Sequence, residues 1–189
     1  MGAAIGADLF PLHTSRNVNF RLCDYTPDTA APKSENGCGA HRDYGTFSII
    51  FQDGTSGLEI ESAYEPGEWL PVPADKVVVL CGWCAYIVSD GELRAVRNRV
   101  RRQPGVRRLS AVLFVAPDLD VTLKPIVSVE RALGKPAALF SSEIMEGKIN
   151  VGWFKEFMGK RWRWREGNAQ LEDSEDPTQD EDIERLILG

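Results

Sequence analysis

Between Asn19 and Val115 the chain falls into short β-prone runs, each closed by a Gly- or Pro-containing turn. Asn19 to Tyr25 stops at Thr26-Pro27, and Thr46 to Gln52 stops at Asp53-Gly54. Leu58 to Ser62 alternates in polarity, and Glu65-Pro66-Gly67 turns the chain into Trp69-Leu70-Pro71-Val72. Val77 to Val88 is one long apolar run ending at Ser89-Asp90-Gly91, a hairpin signal. Leu93 to Arg101 alternates apolar and basic residues, Gln103-Pro104-Gly105 turns it, and Arg108 to Val115 follows. Strands spaced roughly ten residues apart with such turns predict an all-β sandwich or barrel.

Around this block the pattern changes. Residues 1–16 read as a lead-in segment, and residues 26–39, rich in Pro, Ala, Ser and Gly, as a loop. Ser141 to Trp164 reads as one helix, with Ile144, Met145, Ile149, Phe154, Phe157 and Met158 at core spacing. Nine acidic side chains and no basic one fall in 166–184. Setting these and Arg185 aside leaves 21 basic residues against 19 acidic ones, so the net charge of −6 belongs to the C-terminal stretch. Low apolar content there predicts a disordered tail over 166–189, dispensable for folding. The expected organisation is thus lead-in 1–16, a β-barrel domain with C-terminal helix over 17–165, and the tail.

Composition narrows the function. No run of 18 apolar residues exists, so no membrane partner is expected. No secretory leader is apparent, and the four cysteines lack a framework spacing, which suits a reduced, cytoplasmic compartment. The seven arginines between Arg94 and Arg108 alternate with Leu93, Val96 and Val100. That places them on the solvated face of a strand pair, with no nucleic-acid partner expected. Cys81-Gly82-Trp83-Cys84 imitates a redox motif but sits inside the apolar run, where a structural role is expected. Arg161-Trp162-Arg163-Trp164-Arg165 is expected to pair with the acidic tail.

Chemistry concentrates at Gly39-Ala40-His41-Arg42-Asp43. A His and an Asp two apart on a strand share a face, so the two can grip one metal ion. Imidazole, carboxylate and open positions make up the site of non-haem Fe(II) oxygenases, usually with a second His.

In sequence order, several segments resemble the catalytic half of the Fe(II)/2-oxoglutarate oxygenases of the isopenicillin-N-synthase-like superfamily. Arg21-Leu22-Cys23-Asp24-Tyr25-Thr26-Pro27 resembles the strand whose Tyr meets 2-oxoglutarate, and His41-Arg42-Asp43 the metal-binding H-x-D. Phe51-Gln52-Asp53, Gly57-Leu58-Glu59-Ile60 and Gly67-Glu68-Trp69 follow, then Ser89-Asp90-Gly91, Asn98-Arg99-Val100 and Arg108-Leu109-Ser110. The resemblance implies a double-stranded β-helix, or jelly-roll, with His41 and Asp43 on Fe(II) and Tyr25, Arg108 and Ser110 on 2-oxoglutarate. Two departures stand out. Asn98 occupies the position of the family's distal His, leaving a degenerate third metal position, and the family's long N-terminal region has no counterpart in this short form.

The implied function is oxidation of a small organic substrate, of secondary-metabolite type, by an oxygenase with an incomplete metal triad. Two alternatives stay open. One is a cofactor-independent cyclase or isomerase using His41 and Asp43 as acid and base. The other is a non-catalytic partner of a full-length oxygenase. An uncovered barrel face implies a homodimer or a complex with a larger homologue, with residues 1–20 and the helix near Phe154 and Phe157 at the contact.

Overall fold

The computed structural model describes residues 8–15, 17–26, 36–126, 140–167 and 178–189. Eight strands form two four-stranded sheets. They are β1 (Val18–Tyr25), β2 (Asn36–His41), β3 (Phe47–Gln52), β4 (Leu58–Glu61), β5 (Trp69–Pro71), β6 (Val78–Cys81), β7 (Asn98–Arg101) and β8 (Arg108–Val115). One sheet runs β1-β8-β3-β6 and the other β2-β7-β4-β5, with every pairing antiparallel. This is the jelly-roll that the strand spacing and the resemblance both call for.

Register decides which side chains meet. In the first sheet Asn19 pairs with Phe114, Arg21 with Val112, Cys23 with Ser110 and Tyr25 with Arg108. Ser48 and Gln52 of β3 lie opposite Phe114 and Ser110. Alternation puts these residues on the inward face. Between the sheets Ile50, Leu58, Leu80, Val100 and Val112 make a buried cluster.

The long apolar run is where the structure departs from the strand reading. β6 ends at Cys81, and Trp83–Val88 turns into a helix, α1. The pivot is Gly82, where a Cβ would come within 2.5 Å of the Gly45 carbonyl oxygen and 2.6 Å of that of Asp43. No other residue allows the chain to pass so close, and here the strand cannot continue. The first amides of α1 donate instead to the loop beside them, Trp83 to Asp43 O at 2.9 Å and Cys84 to Tyr44 O at 3.0 Å. The β-strand expected over Leu93–Arg101 is shorter, beginning at Asn98, and β2 starts inside the stretch read as a loop.

The single helix expected over Ser141–Trp164 is two, α2 (Ser142–Met145) and α3 (Val151–Gly167). Gly147 breaks the path at a φ of 66°, a left-handed conformation that favours glycine. Asn150 restarts it by accepting the Trp153 amide on Oδ1 at 2.8 Å. The basic-aromatic segment 161–165 lies outside the residues whose side chains are described.

The expected disordered tail is corrected in its last part. Thr178–Leu188 is a helix, α4, and its Ile183 and Ile187 are fully buried with Phe154, Ile144 and Trp83. Ile183, Leu186 and Ile187 recur at helical spacing and supply the apolar stripe that the acidic average conceals. Residues 168–177 fall outside the described ones. Among the described residues, no helix is long and apolar enough to cross a membrane.

Candidate active site

His41 is the last residue of β2, and Asp43 lies just beyond the strand end. Their closeness therefore comes from the loop, which α1 clasps through its first amides, and not from alternation along a strand. His41 Nδ1 donates to the Gly39 carbonyl at 2.8 Å, which leaves Nε2 facing Asp43 Oδ1 at 3.4 Å. That tautomer presents Nε2 to a metal. Asp43 Oδ2 accepts the Ser48 hydroxyl. Burial alone would lower the His41 pKa, but the neighbouring Cys38 and the bond to Asp43 hold it well above its usual value. Burial works against the Asp43 charge too, yet His41, the Ser48 hydroxyl and the Arg21 charge keep its carboxyl below the ordinary range. Both shifts run toward the charged forms of the pair, imidazolium and carboxylate.

Arg42, between them, points away. Its guanidinium binds Glu184 of α4 at 2.9 Å, donates to the Ala95 carbonyl at 3.1 Å and lies over the Trp83 ring at 5.4 Å.

Asn98 pairs with His41 across β2 and β7 and is 5% exposed. Its Nδ2 donates to the carbonyls of His41 at 3.3 Å and Val96 at 3.4 Å. With the amide nitrogen committed to two acceptors, Oδ1 is the atom left to meet a cation. Among the described residues, no third His, Cys, Asp or Glu joins His41 and Asp43. His13, the other histidine, bonds Thr46 Oγ1 at 2.7 Å and the Leu9 carbonyl at 2.8 Å instead.

Tyr25, Arg108 and Ser110 gather on the inward face of the β1-β8-β3-β6 sheet. Arg108 is 4% exposed; it donates to Gln52 Oε1 at 3.1 Å and Ser110 Oγ at 3.3 Å, and it lies 5.3 Å over the Tyr25 ring. Its Nε is buried with no hydrogen-bond partner, and among the described residues no carboxylate pairs with it. A buried guanidinium whose hydrogen bonds go only to neutral groups, with the Asp53 carboxylate felt through space and not in contact, suits an anion, and a carboxylate matches its fork. Burial drives the Tyr25 pKa upward, as do Cys38 and Cys23, so its hydroxyl keeps its proton as a donor. Gln52 was visible in sequence only as part of a motif; its role as Arg108's support appears with the pairing of β3 and β8.

The cysteine pair, expected inside a strand, lies at a strand–helix junction. Cys84 is fully buried, and burial pushes its thiol far up. The arginine-rich stretch forms an ion-paired face on β7. Arg99 meets Glu59 at 2.6 Å and Arg97 meets Glu61 at 3.3 Å, while both cover the Trp69 ring.

A cavity of about 540 Å³ opens beside His41 and Asp43, between the inward face of β1 and β8 and helix α3. Tyr25, Arg108 and Ser110 lie farther along the same strands, outside its lining.

Residues 16–117 match the model of the 2OG-Fe(II) oxygenase superfamily, more than half of the chain. The chain belongs to that superfamily. Among curated relatives, the UPF0676 protein C1494.01 of Schizosaccharomyces pombe is 31% identical over 79% of this chain and 49% of its own length. The 2-oxoglutarate-dependent dioxygenase citB of Monascus ruber is 35% identical over 56% of this chain and 33% of its own. The chain thus spans half or less of the length of these relatives. The solved complex of the dioxygenase for auxin oxidation 1 of Arabidopsis thaliana with 2-oxoglutarate superposes with a TM-score of 0.58 at 24% identity. It covers 69% of this chain and 50% of that one, a likeness of fold.

The family's two cofactors are Fe(II) and 2-oxoglutarate, and this chain fits them unequally. The buried, anion-seeking Arg108 with Ser110 and Tyr25 suits 2-oxoglutarate well. A metal placed by His41 and Asp43 would find one imidazole, one carboxylate and, from Asn98, only a neutral amide oxygen, a weaker donor than a second His.

Proposed function

We propose that the chain carries the catalytic barrel of a 2-oxoglutarate-dependent oxygenase with an incomplete metal triad, acting on a small organic molecule in the cavity beside His41 and Asp43. The buried guanidinium of Arg108, with an unpartnered Nε and hydrogen bonds only to neutral groups, is the observation that carries this reading. His41 Nε2 and the Asp43 carboxylate would hold Fe(II), with Asn98 Oδ1 at the third position; Arg108, Ser110 and Tyr25 would hold the distal carboxylate of 2-oxoglutarate. Bound together, metal and co-substrate supply dioxygen activation, with 2-oxoglutarate consumed. The chain's own part is placement. Ser48 and the α1 amides fix Asp43 and its loop, the Gly39 carbonyl fixes the His41 tautomer, and Gln52 holds Arg108 in its orientation.

Titration of the protein with 2-oxoglutarate, with and without Fe(II) under anaerobic conditions, tests the reading. Metal binding that is weak alone and strengthens with 2-oxoglutarate is expected, because two strong protein donors leave room for a bidentate co-substrate. No heat above buffer for metal or co-substrate would end the oxygenase reading. Asn98 is the observation behind a second reading, in which His41 and Asp43 act as a proton-transfer pair without metal. Substrate turnover unaffected by a chelator would favour it.

The reading extends to association. The outward face of the β1-β8-β3-β6 sheet carries Phe20, Leu22, Phe51 and Val79, all exposed, and suits a second copy or a larger relative. Of the helix residues expected at the contact, Phe154 is buried in the helical core, whereas Phe157 is half-buried and stacks on the exposed Trp153; residues 1–7 and 16 lie outside the described ones.

A further inference from the structure

The cavity beside His41 and Asp43 has two chemically distinct linings. Phe114, Leu119, Met158 and Tyr44 supply apolar and aromatic surface. Arg21 from β1 and Lys155 from α3 bring cationic groups to the lining of the same space.

The charges are not equally available. Arg42 also lines the cavity, but Glu184 neutralises its guanidinium at 2.9 Å. Lys155 is half-buried, and its contacts are neutral: Asn17 Oδ1 at 3.1 Å and the Tyr44 ring at 5.9 Å. Arg21 lies 5.8 Å over the Phe114 ring, and the carboxylate that feels its charge is Asp43. Glu156 opposes an anion, yet it is exposed at the rim, where water screens it more than it screens Lys155. A divalent cation on His41 and Asp43 would engage the Asp43 charge and add positive potential to the same wall.

We propose that this cavity takes a small amphipathic acid, its anionic group between Arg21 and Lys155 and its apolar body against Phe114, Leu119 and Met158. The inference deepens the oxygenase reading, since it names the substrate class of the same cavity. An anion there gains charge-assisted bonds from both cations, and the aromatic and thioether surfaces receive the rest of the molecule. A neutral analogue keeps only the second part. A cationic one is repelled.

The test uses 4-phenylbutanoate as the acid probe and 4-phenylbutanamide as its neutral counterpart, titrated into the whole chain and followed by NMR chemical shifts. The acid is expected to bind about tenfold tighter than the amide, the scale of one charge-assisted bond. Arg21→Gln and Lys155→Gln should each remove about threefold of that factor for the acid, and the pair together all of it, leaving the amide unchanged, with Lys155→Arg restoring the Lys155 share. Gly159 also lines the cavity, and a Cβ built there meets no atom within 4 Å. Gly159→Leu should therefore weaken both probes by filling space, with Gly159→Ala as the control that the helix is intact. Equal affinity for acid and amide, absence of acid binding, or loss of acid binding through Arg108→Gln but not Lys155→Gln would each overturn the proposal. Titrating the same samples with 2-oxoglutarate reports separately on the oxygenase reading, because that ligand depends on Arg108 and not on Lys155.

Discussion

Asn98 is where one residue most directly sets the chemistry. Its amide nitrogen faces two backbone carbonyls, so on the proposed reading a cation would meet a neutral oxygen at the third position. Asn98→His should raise Fe(II) affinity by at least about tenfold, taking the cost of supporting-residue losses around metals as a floor. Calorimetric titration checks this; a folded variant that binds no better would show that position 98 does not address the metal. The residues of this site were largely legible in the chain, because H-x-D, Asn98-Arg99-Val100 and Arg108-Leu109-Ser110 are local words. What supports them was not. Ser48 on Asp43, Gln52 on Arg108 and Glu184 on Arg42 each depend on strand pairing or helix docking that no short stretch encodes. Arg21 and Lys155 escaped notice for the same reason, standing on elements 134 positions apart that meet only at the cavity.

At the scale of elements, two segments hold the barrel's ends. Asp118, just after β8, accepts the Thr14 amide and hydroxyl at 2.9 and 2.5 Å and the Ser15 amide at 2.8 Å. The Ser15 and Thr14 side chains lead in lowering its pKa from 3.8 to about 2. A carboxylate with a depressed folded pKa contributes stability in full above its unfolded value and loses it as pH falls through the folded one. Protection of the Thr14 and Ser15 amides from hydrogen exchange should therefore persist above pH 3.8 and fade toward pH 2, with Asp118→Asn abolishing the dependence. The second segment is α4. Its Ile183 and Ile187 have no exposed surface, the Ser141 amide donates to the Ile187 carbonyl at 2.7 Å, and Glu184 holds Arg42. Ile183→Ala should cost about 2–5 kcal/mol, measured by denaturant unfolding. A loss below about 0.5 kcal/mol, the size typical of surface substitutions, would show that α4 does not dock in solution. The chain's composition hid this helix. Arg185 in the last turn favours the negative end of the helix dipole, so a charged stretch that suggests a solvated tail also suits a helix. The apolar run Val77–Val88 misled in the opposite direction, since nothing local says that Gly82 must pass against the Asp43–Gly45 loop.

For the molecule as a whole, the two faces of one sheet set the expectation. Inward, β1, β8 and β3 present Arg21, Ser110, Arg108 and Gln52 to the site. Outward, register brings Phe20 opposite Leu113, Leu22 opposite Ala111, Phe51 opposite Ala111 and Ile49 opposite Val79. Phe20 is 60% exposed, Leu22 79%, Phe51 44% and Val79 54%, so these rows make one continuous apolar surface. Single exposed apolar residues are ordinary, but contiguous patches above a few hundred Å² mark contacts. β1 is also the edge of its sheet, and it offers unpaired backbone groups beside the patch. Self-association through this face is the expected outcome, most economically as a two-fold dimer. Light scattering at micromolar concentration should give twice the 21.0 kDa chain mass. Leu22→Lys, placed on the most exposed residue of the patch, should return the monomer without loss of 2-oxoglutarate binding, because its side chain faces away from Arg108. A wild-type chain that runs as a monomer and leaves a hydrophobic dye dark would show that this face is covered from within, by residues beyond those described.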